Sequence, residues 1–186
     1  QDVKVLDFGC GSGYFVNRLA QKGYQSFGVD ISSEAIEFGR RQGIKNIDVI
    51  DAHHINFSDN YFKSVLLLDV IEHLEDESWA IQEVERVLSP GGTAVIMVPA
   101  FNFLWGIQDE VAHHYRRYTL PQLVRVIQQT SNFEIVRKSY FNFFLFPPIA
   151  IVRLVSRWLK LKGRESDFDL NNHFVNVAAA ICLRSS

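Results

Sequence analysis

Cysteine is scarce in this chain: only Cys10 and Cys182 occur among 186 residues, at opposite ends, so neither a disulfide framework nor a cysteine-based metal spacing is available. A reducing cytoplasm is the compartment that fits this usage. An excess of one charge is also missing, since 19 Lys and Arg against 21 Asp and Glu leave a net charge of −2. The chain therefore lacks the basic footprint that binding to phosphate backbones requires, and no nucleic acid partner is expected. There is no internal repeat, no low-complexity tract and no uninterrupted apolar run long enough to span a bilayer. A charged segment followed by an apolar one, the mark of a secretory signal, is absent from the first residues, QDVKVLDFGCG, which run straight into a strand pattern. So abrupt a start leads us to expect further residues upstream, able to carry a helix over a ligand. What is present is 47% apolar and 22% charged residues, enough for one compact domain over residues 1–186 with a sizeable core.

Short β-rich apolar runs alternate with segments of helical period, the pattern of parallel strands joined by crossover helices. Strands are expected at Val3–Phe8, Gln25–Asp30, Ile47–Asp51, Ser64–Val70 and Thr93–Pro99. A helix from about Tyr14 to Lys22 ends near Gly23, and a second, Ser33–Gln42, has Ser32 as its cap and Gly43 as its stop. A third begins in the acidic run Glu75, Asp76, Glu77, buries Ile81, Val84, Val87 and Leu88, and stops at SPGG. Thr119 and Gln122 have capping-box spacing, which makes TLPQLVRVIQQT a helix with Leu123, Val124 and Ile127 inward. Strands near Phe133–Phe143 and Phe174–Leu183 follow, the last expected to be antiparallel. The fold class is thus α/β, doubly wound around a mostly parallel sheet.

The segment VLDFGCGSGYF places Gly9, Gly11 and Gly13 between a strand and a helix, where a ligand can approach bare backbone and helix N–H groups. A dinucleotide fingerprint would need a further glycine at position 14, which is Tyr14. More decisive is the charge pattern. Asp7, Asp30, Asp51 and Asp69 each stand at or beside the carboxyl end of a separate expected strand, the edge where open α/β sheets bind ligands. Carboxylates around a pocket disfavour a polyphosphate and favour a ligand with positive charge, and S-adenosylmethionine carries a sulfonium and an ammonium. Its carboxylate can use the glycine-loop N–H groups, Asp30 can accept both ribose hydroxyls, and Asp51 can accept from the adenine amine.

At these residues the chain resembles the class I S-adenosylmethionine-dependent methyltransferases, in particular the small-molecule group of ubiquinone and menaquinone biosynthesis. DFGCGSG is similar to that family's first motif and brings Cys10 to the cofactor site beside Asp7 and the three glycines. The resemblance implies that GVDIS supplies Asp30 and Ile31, that DA supplies Asp51 and Ala52 at the adenine, and that LLLDVIEHLED supplies Asp69 and Val70. LSPGGTAVIMVP resembles the turn and fifth strand of the family. The fold implied is a seven-stranded sheet with an antiparallel last strand. The cofactor half would be residues 1–99, with acceptor-side elements and closing strands in residues 100–186.

Methyl transfer is an in-line displacement at a carbon already activated by the sulfonium, so a general base is needed only where the acceptor atom carries a proton. His73 follows the fourth strand with Glu72 beside it, and is read either as a group reaching the methyl or as a histidine that packs or caps the next helix. The cluster AHHYRRYT precedes a capped helix, and similar family members carry HxRRY there, matching His114 through Tyr118. His73 and His114 are the catalytic candidates; Arg116, Arg117 and Tyr118 are the acceptor-binding candidates. Either arginine could clamp an anionic acceptor in a bidentate fork, or pair structurally with Asp109 or Glu110. His53, His54, His113 and His114 raise the question of a metal, yet HExxH and finger spacings are absent and no metal is expected. The Phe-rich run in residues 140–162 is read as a core strand and covering helix, or as peripheral membrane contact through Arg153, Arg157, Lys160 and Lys162. In both cases it points to an apolar or lipid-like acceptor. The alternatives are a nicotinamide-dependent Rossmann enzyme, which Tyr14 and the carboxylates disfavour, and a noncatalytic ligand-sensing scaffold of the same fold.

Overall fold

The computed structural model describes residues 3–51, 54–141 and 177–185. Seven strands form one sheet in the order β3-β2-β1-β4-β5-β7-β6. These are β1 Lys4–Phe8, β2 Gln25–Asp30, β3 Ile47–Val49, β4 Phe62–Leu68, β5 Leu88–Pro99, β6 Glu134–Phe141 and β7 Ala178–Arg184. The helices are α1 Tyr14–Gln21, α2 Ser33–Arg41, α3 Ser78–Val87, α4 Ile107–Val111 and α5 Leu120–Thr130, with 3-10 turns at Ile71–His73 and Asn102–Leu104. Strands β1 to β5 pair in parallel, and β7 runs antiparallel to both β5 and β6. The doubly wound sheet with its antiparallel closing strand is the architecture expected from the sequence. After β1 the chain steps outward to β2 and β3, then returns to β4 on the other side of β1. That reversal opens a crevice at the carboxyl ends of β1 and β4.

The alternating strand pattern divides the core. Leu6, Phe8, Val65, Leu67, Ile96 and Val98 belong to the larger cluster, which also takes in Ile81 and Val84 of α3 and Leu123 and Ile127 of α5. A smaller cluster joins Cys10, Val16 of α1, Ile36 of α2 and Ile47 of β3. Burying each of these side chains contributes about 1.5–3 kcal/mol, an amount that sets the strand register through the two-residue period.

Local signals hold where they are strongest. Ser32 caps α2 by accepting from the Ala35 N–H at 3.2 Å, and Thr119 caps α5 reciprocally with Gln122. Boundaries shift elsewhere. Helix α3 starts at Ser78, because Asp76 accepts the Ser78 N–H and the acidic run forms the approach to the helix instead of its first turn. Helix α3 ends at Val87, just ahead of SPGG as expected, but SPGG is not a turn that precedes β5. It lies inside the strand as an irregularity between the Phe62/Leu88 and Ser64/Thr93 pairings, with Gly91 at φ +67 and donating to the Ser185 carbonyl. Strand β3 ends at Val49, two residues before Asp51, and β4 ends before Asp69 and Val70, which lead into a 3-10 turn. Only Tyr140 and Phe141 of the 140–162 run, at the end of β6, are among the described residues, so the two readings of that run lie outside them, as does Ala52. Among the described residues no helix is long and apolar enough to cross a membrane.

Candidate active site

The order β3-β2-β1-β4 makes neighbours of the strands that carry the four aspartates. Asp7 is in β1, Asp30 ends β2, and Asp51 and Asp69 follow β3 and β4. Asp30 is the hinge of this edge: one carboxylate oxygen accepts the Gly11 N–H at 2.7 Å and the other the Ser32 N–H at 2.8 Å. It thereby ties the glycine loop to the β2–α2 turn, while lone pairs remain on both oxygens for a ligand. Ile31, beside it, is 63% exposed and free to lie against a ring. The loop itself is pinned by Gly9 and Cys10, whose N–H groups both donate to the Val29 carbonyl. Gly9, Gly11 and Gly13 have φ of +80, +54 and +82, left-handed values that disfavour any side chain. Val70 packs on this loop, since a Cβ on Gly9 would lie 2.4 Å from Val70 Cγ2.

Tyr14 starts α1 with its ring 62% exposed, so its bulk meets no steric limit there. Close packing is demanded instead at Gly39 of α2, where a Cβ would lie 2.2 Å from the Ser12 carbonyl oxygen.

Burial, and then the charge of Asp30, push the Asp7 carboxyl up from its ordinary 3.8 to about 7. Burial and the nearby charge of Asp7 push the Cys10 thiol up to about 12, which makes it an unreactive packing group at neutral pH. Because the folded chain holds the Asp7 proton more tightly than the unfolded chain, ionisation costs stability as pH rises through that interval. Asp7→Asn is therefore expected to be more stable than the parent at about pH 8, by roughly 3–4 kcal/mol, and close to it near pH 4. Urea midpoints at the two pH values measure this. Equal stability at the higher pH would mean that the ionised carboxylate is already compensated.

On the acceptor side the HYRRY segment is laid along the end of β5. Tyr118 donates its N–H to the Pro99 carbonyl and accepts from the Phe101 N–H, and the Tyr115 N–H donates to the Glu72 carbonyl. This brings His114 to His73, with ring centroids 4.6 Å apart and planes at 81°. His114 Nδ1 lies 2.9 Å from Asp109 Oδ1, a partner that fixes the ring. Burial, then the neighbouring His114, hold the His73 imidazole below its ordinary value. Glu72, fully buried, has no hydrogen-bond partner on either carboxylate oxygen. Burial and the Asp69 charge push its carboxyl well above the usual range.

Arg117 takes the structural one of its two readings, pairing with Asp109, whereas the Arg116 side chain is 32% exposed, and both line a cleft with Asn102, Tyr118 and Gln122. Arg117, 2% exposed, donates Nε and Nη2 to the two oxygens of Asp109 at 2.6 and 3.0 Å and Nη1 to the Ala100 carbonyl at 3.1 Å. Burial alone would raise the Asp109 carboxyl, but the Arg117 fork holds it below its ordinary value. Arg116 donates to the Glu77 carboxylate and to the carbonyls of Leu74 and Glu75. These contacts use three of the five N–H donors of each guanidinium, and those of Arg117 are all buried. Tyr118 is 3% exposed, and burial with the nearby Glu77 charge raises its phenol, so it packs as a core residue.

Residues 6–96 match a family described as a methyltransferase domain. This chain carries a class I S-adenosylmethionine-dependent methyltransferase domain. The domain is 35% identical over 101 residues to a norajmaline N-methyltransferase of Rauvolfia serpentina, covering 50% of this chain and 35% of that protein. It is 24% identical over 137 residues to a ubiquinone biosynthesis O-methyltransferase of Xanthomonas oryzae pv. oryzae, covering 64% and 57% respectively. The chain thus spans between about a third and three fifths of these relatives. A solved S-adenosylmethionine-dependent methyltransferase structure from Methanosarcina mazei superposes with a TM-score of 0.69 at 21% identity, covering 99% of this chain and 92% of that one. The match to the methyltransferase family ends at residue 96, at β5, so the acceptor side of the domain rests on its own geometry.

Three residues of the methyltransferase domain had no part in the sequence expectations beyond a passing pairing. Gly39 sits in an ordinary helical run, Asp109 is one of two partners considered for an arginine, and Glu72 is read only as the neighbour of His73. The signal that could have raised Asp109 is its place five residues before His114 and eight before Arg117.

Proposed function

We propose that the chain binds S-adenosylmethionine across the carboxyl ends of β1, β2, β3 and β4 and transfers its methyl group to a small acceptor. The single observation that carries this reading is Asp30, which joins the glycine loop to the end of β2 and faces a line of three further aspartates. Asp30 would accept the ribose hydroxyls and Asp51 the adenine amine. Ile31, Ala52 and Val70 would flank the rings, and Asp7, Asp69 and the loop formed by Gly9, Cys10, Gly11 and Gly13 would hold the amino-acid end. The sulfonium gains from the surrounding carboxylates, whereas a polyphosphate would be repelled.

Once the cofactor is held, what remains for the chain is to present the acceptor in line and to manage its proton. His73 and His114 would take that task, with Asp109 orienting His114. Aromatic surface just after β5 supports an apolar or lipid-like acceptor: Phe101 stacks on Tyr140 at 4.8 Å and 27°, and Phe103 lies 5.6 Å from Phe101. Two free cysteines and a net charge of −2 support a small-molecule reaction in a reducing cytoplasm rather than one on nucleic acid.

Calorimetric titration with S-adenosylmethionine tests the reading directly. Asp30→Ala is expected to weaken binding at least tenfold, about 1.4 kcal/mol, because it removes both the ribose acceptor and the loop tie. Absence of measurable binding by the parent chain, or full affinity in Asp30→Ala, would overturn it. Methyl release into a metabolite extract, with the product identified by mass, then assigns the acceptor.

A further inference from the structure

We propose that the cleft between the HYRRY segment and α5 holds a phosphate group carried by the methyl acceptor. The cleft has a volume of about 290 Å3, and its polar lining is Asn102, Arg116, Arg117, Gln122 and Arg125. No carboxylate stands among the described residues that line it. Three arginines in one wall do not alone make a site, because ion pairs spend much of their charge: Glu77 answers Arg116, and Asp109 answers Arg117. Arg125 is different. It is exposed on α5, and no hydrogen bond or ion pair engages it among the described residues.

Unspent donors distinguish this cleft further. Arg116 uses Nη1 and Nη2 on Glu77, Leu74 and Glu75, which leaves its Nε–H over. Asn102 accepts the Arg117 N–H through Oδ1 at 3.1 Å, and Gln122 accepts the Thr119 N–H and hydroxyl through Oε1, each at 2.9 Å. Both amides thus have the acceptor end engaged, and their NH2 groups remain. The donors come from three separate elements: the turn after β5, the HYRRY segment and α5. One guanidinium fork is enough for a planar carboxylate, whereas a phosphate offers three terminal oxygens and takes bonds from several directions.

The cleft lies on the acceptor side. Ala100, just after β5, bridges to Tyr118. Arg116 stands two residues after His114 and donates to the carbonyl of Leu74, the residue after His73, at 3.1 Å. A molecule with its phosphate against Arg116 and Arg125 can therefore extend toward the two histidines. An apolar acceptor with a phosphate at one end would suit both this cleft and the aromatic surface after β5. The cleft binds and orients, and takes no part in bond making. Its role toward the acceptor rests on the cofactor reading above; its affinity for an anion does not.

The experiment titrates the chain with inorganic phosphate at fixed ionic strength, followed by 31P line broadening. Saturable binding is expected, weakened about fivefold or more in Arg125→Gln and unchanged in Arg41→Gln, which removes the same charge from α2. Thermal unfolding of Arg125→Gln should match the parent, since the side chain it replaces has no partner to lose. No saturation in the parent, or equal affinity in the two variants, overturns the proposal. Methyl transfer into a metabolite extract, split into phosphate-bearing and phosphate-free fractions, tests the acceptor. Product is expected in the phosphate-bearing fraction, where Arg125→Gln raises KM about fivefold and leaves kcat within about twofold. Aqueous or lipid-phase phosphates as the methylated pool both support the assignment and identify the carrier, whereas product in the phosphate-free fraction alone overturns it. Phosphate binding without S-adenosylmethionine binding would sink the cofactor reading and leave the anion site standing.

Discussion

Replacing Arg117 by Met is expected to destabilise the domain by about 3–5 kcal/mol, the cost of leaving one member of a buried ion pair without its partner. Arg117 and Asp109 side chains are each 1% exposed, so water cannot take the place of the lost guanidinium. Asp109 also accepts the Gly106 N–H at 2.8 Å and faces His114, so its carboxylate organises the start of α4 and the ring that lies against His73. In a domain of this size each kcal/mol moves the melting temperature by about 2–4 °C, which makes the expected loss about 10 °C. The pH dependence has a definite sign. In the parent, Asp109 is held below its ordinary pKa, so its pairing adds stability above the unfolded pKa, and that contribution is lost as pH falls through the lower folded value. In Arg117→Met the same carboxyl is buried without the cation, its pKa rises, and the deficit shrinks on acidification as it takes a proton. Arg117→Lys should recover only part of the loss, because an ammonium cannot reproduce the two-pronged contact. Denaturant midpoints of the three proteins at two pH values decide the matter, and a deficit under about 1 kcal/mol for Arg117→Met would place the pair in the class of solvated ion pairs.

The second large effect is expected at Gly39. A methyl group there meets the Ser12 carbonyl oxygen at 2.2 Å and Ile47 Cδ1 at 2.7 Å, and the nearer obstacle is backbone that cannot rotate away. Either α2 withdraws from the sheet or the glycine loop is displaced. Gly39→Ala should therefore cost about 2–3 kcal/mol as an overpacked contact, although alanine is the better helix former by about 1 kcal/mol. Displacement of Ser12 moves the loop that Asp30 ties down, so affinity for S-adenosylmethionine should fall more than tenfold. Gly23→Ala is the control: nothing lies within 4 Å of its added methyl, and only its φ of +85 is strained. It should lose about 1–2 kcal/mol and leave nucleoside affinity intact. If both variants bind the nucleoside equally well, the contact between α2 and the loop is not what shapes the cofactor edge.

Both effects arise where sequence signals were thin. Caps and periodicity made β1, β2, α2 and α5 legible, because Ser32, Thr119 and Gln122 act on backbone groups within three residues of themselves. The starts of α3 and β5 were not legible, since Asp76 keeps the acidic run out of the helix, and the strand pairing of Leu88 with Phe62 and the tie from Gly91 to Ser185 are long-range contacts that draw SPGG into the strand. The exposure of Tyr14 likewise depends on how α1 meets the sheet, which residue type alone does not report.

By itself the sequence determined the α/β alternation, the glycine turn and the placing of four aspartates at strand ends, because each depends on local backbone geometry and on a two-residue or 3.6-residue period. Only the tertiary structure decided that Arg117 turns inward, that Asp109 supports His114, and that Glu72, His73 and His114 meet. Those outcomes come from closing a loop of about forty residues onto the end of β4, and which partners a buried charge finds is a property of the whole packed edge.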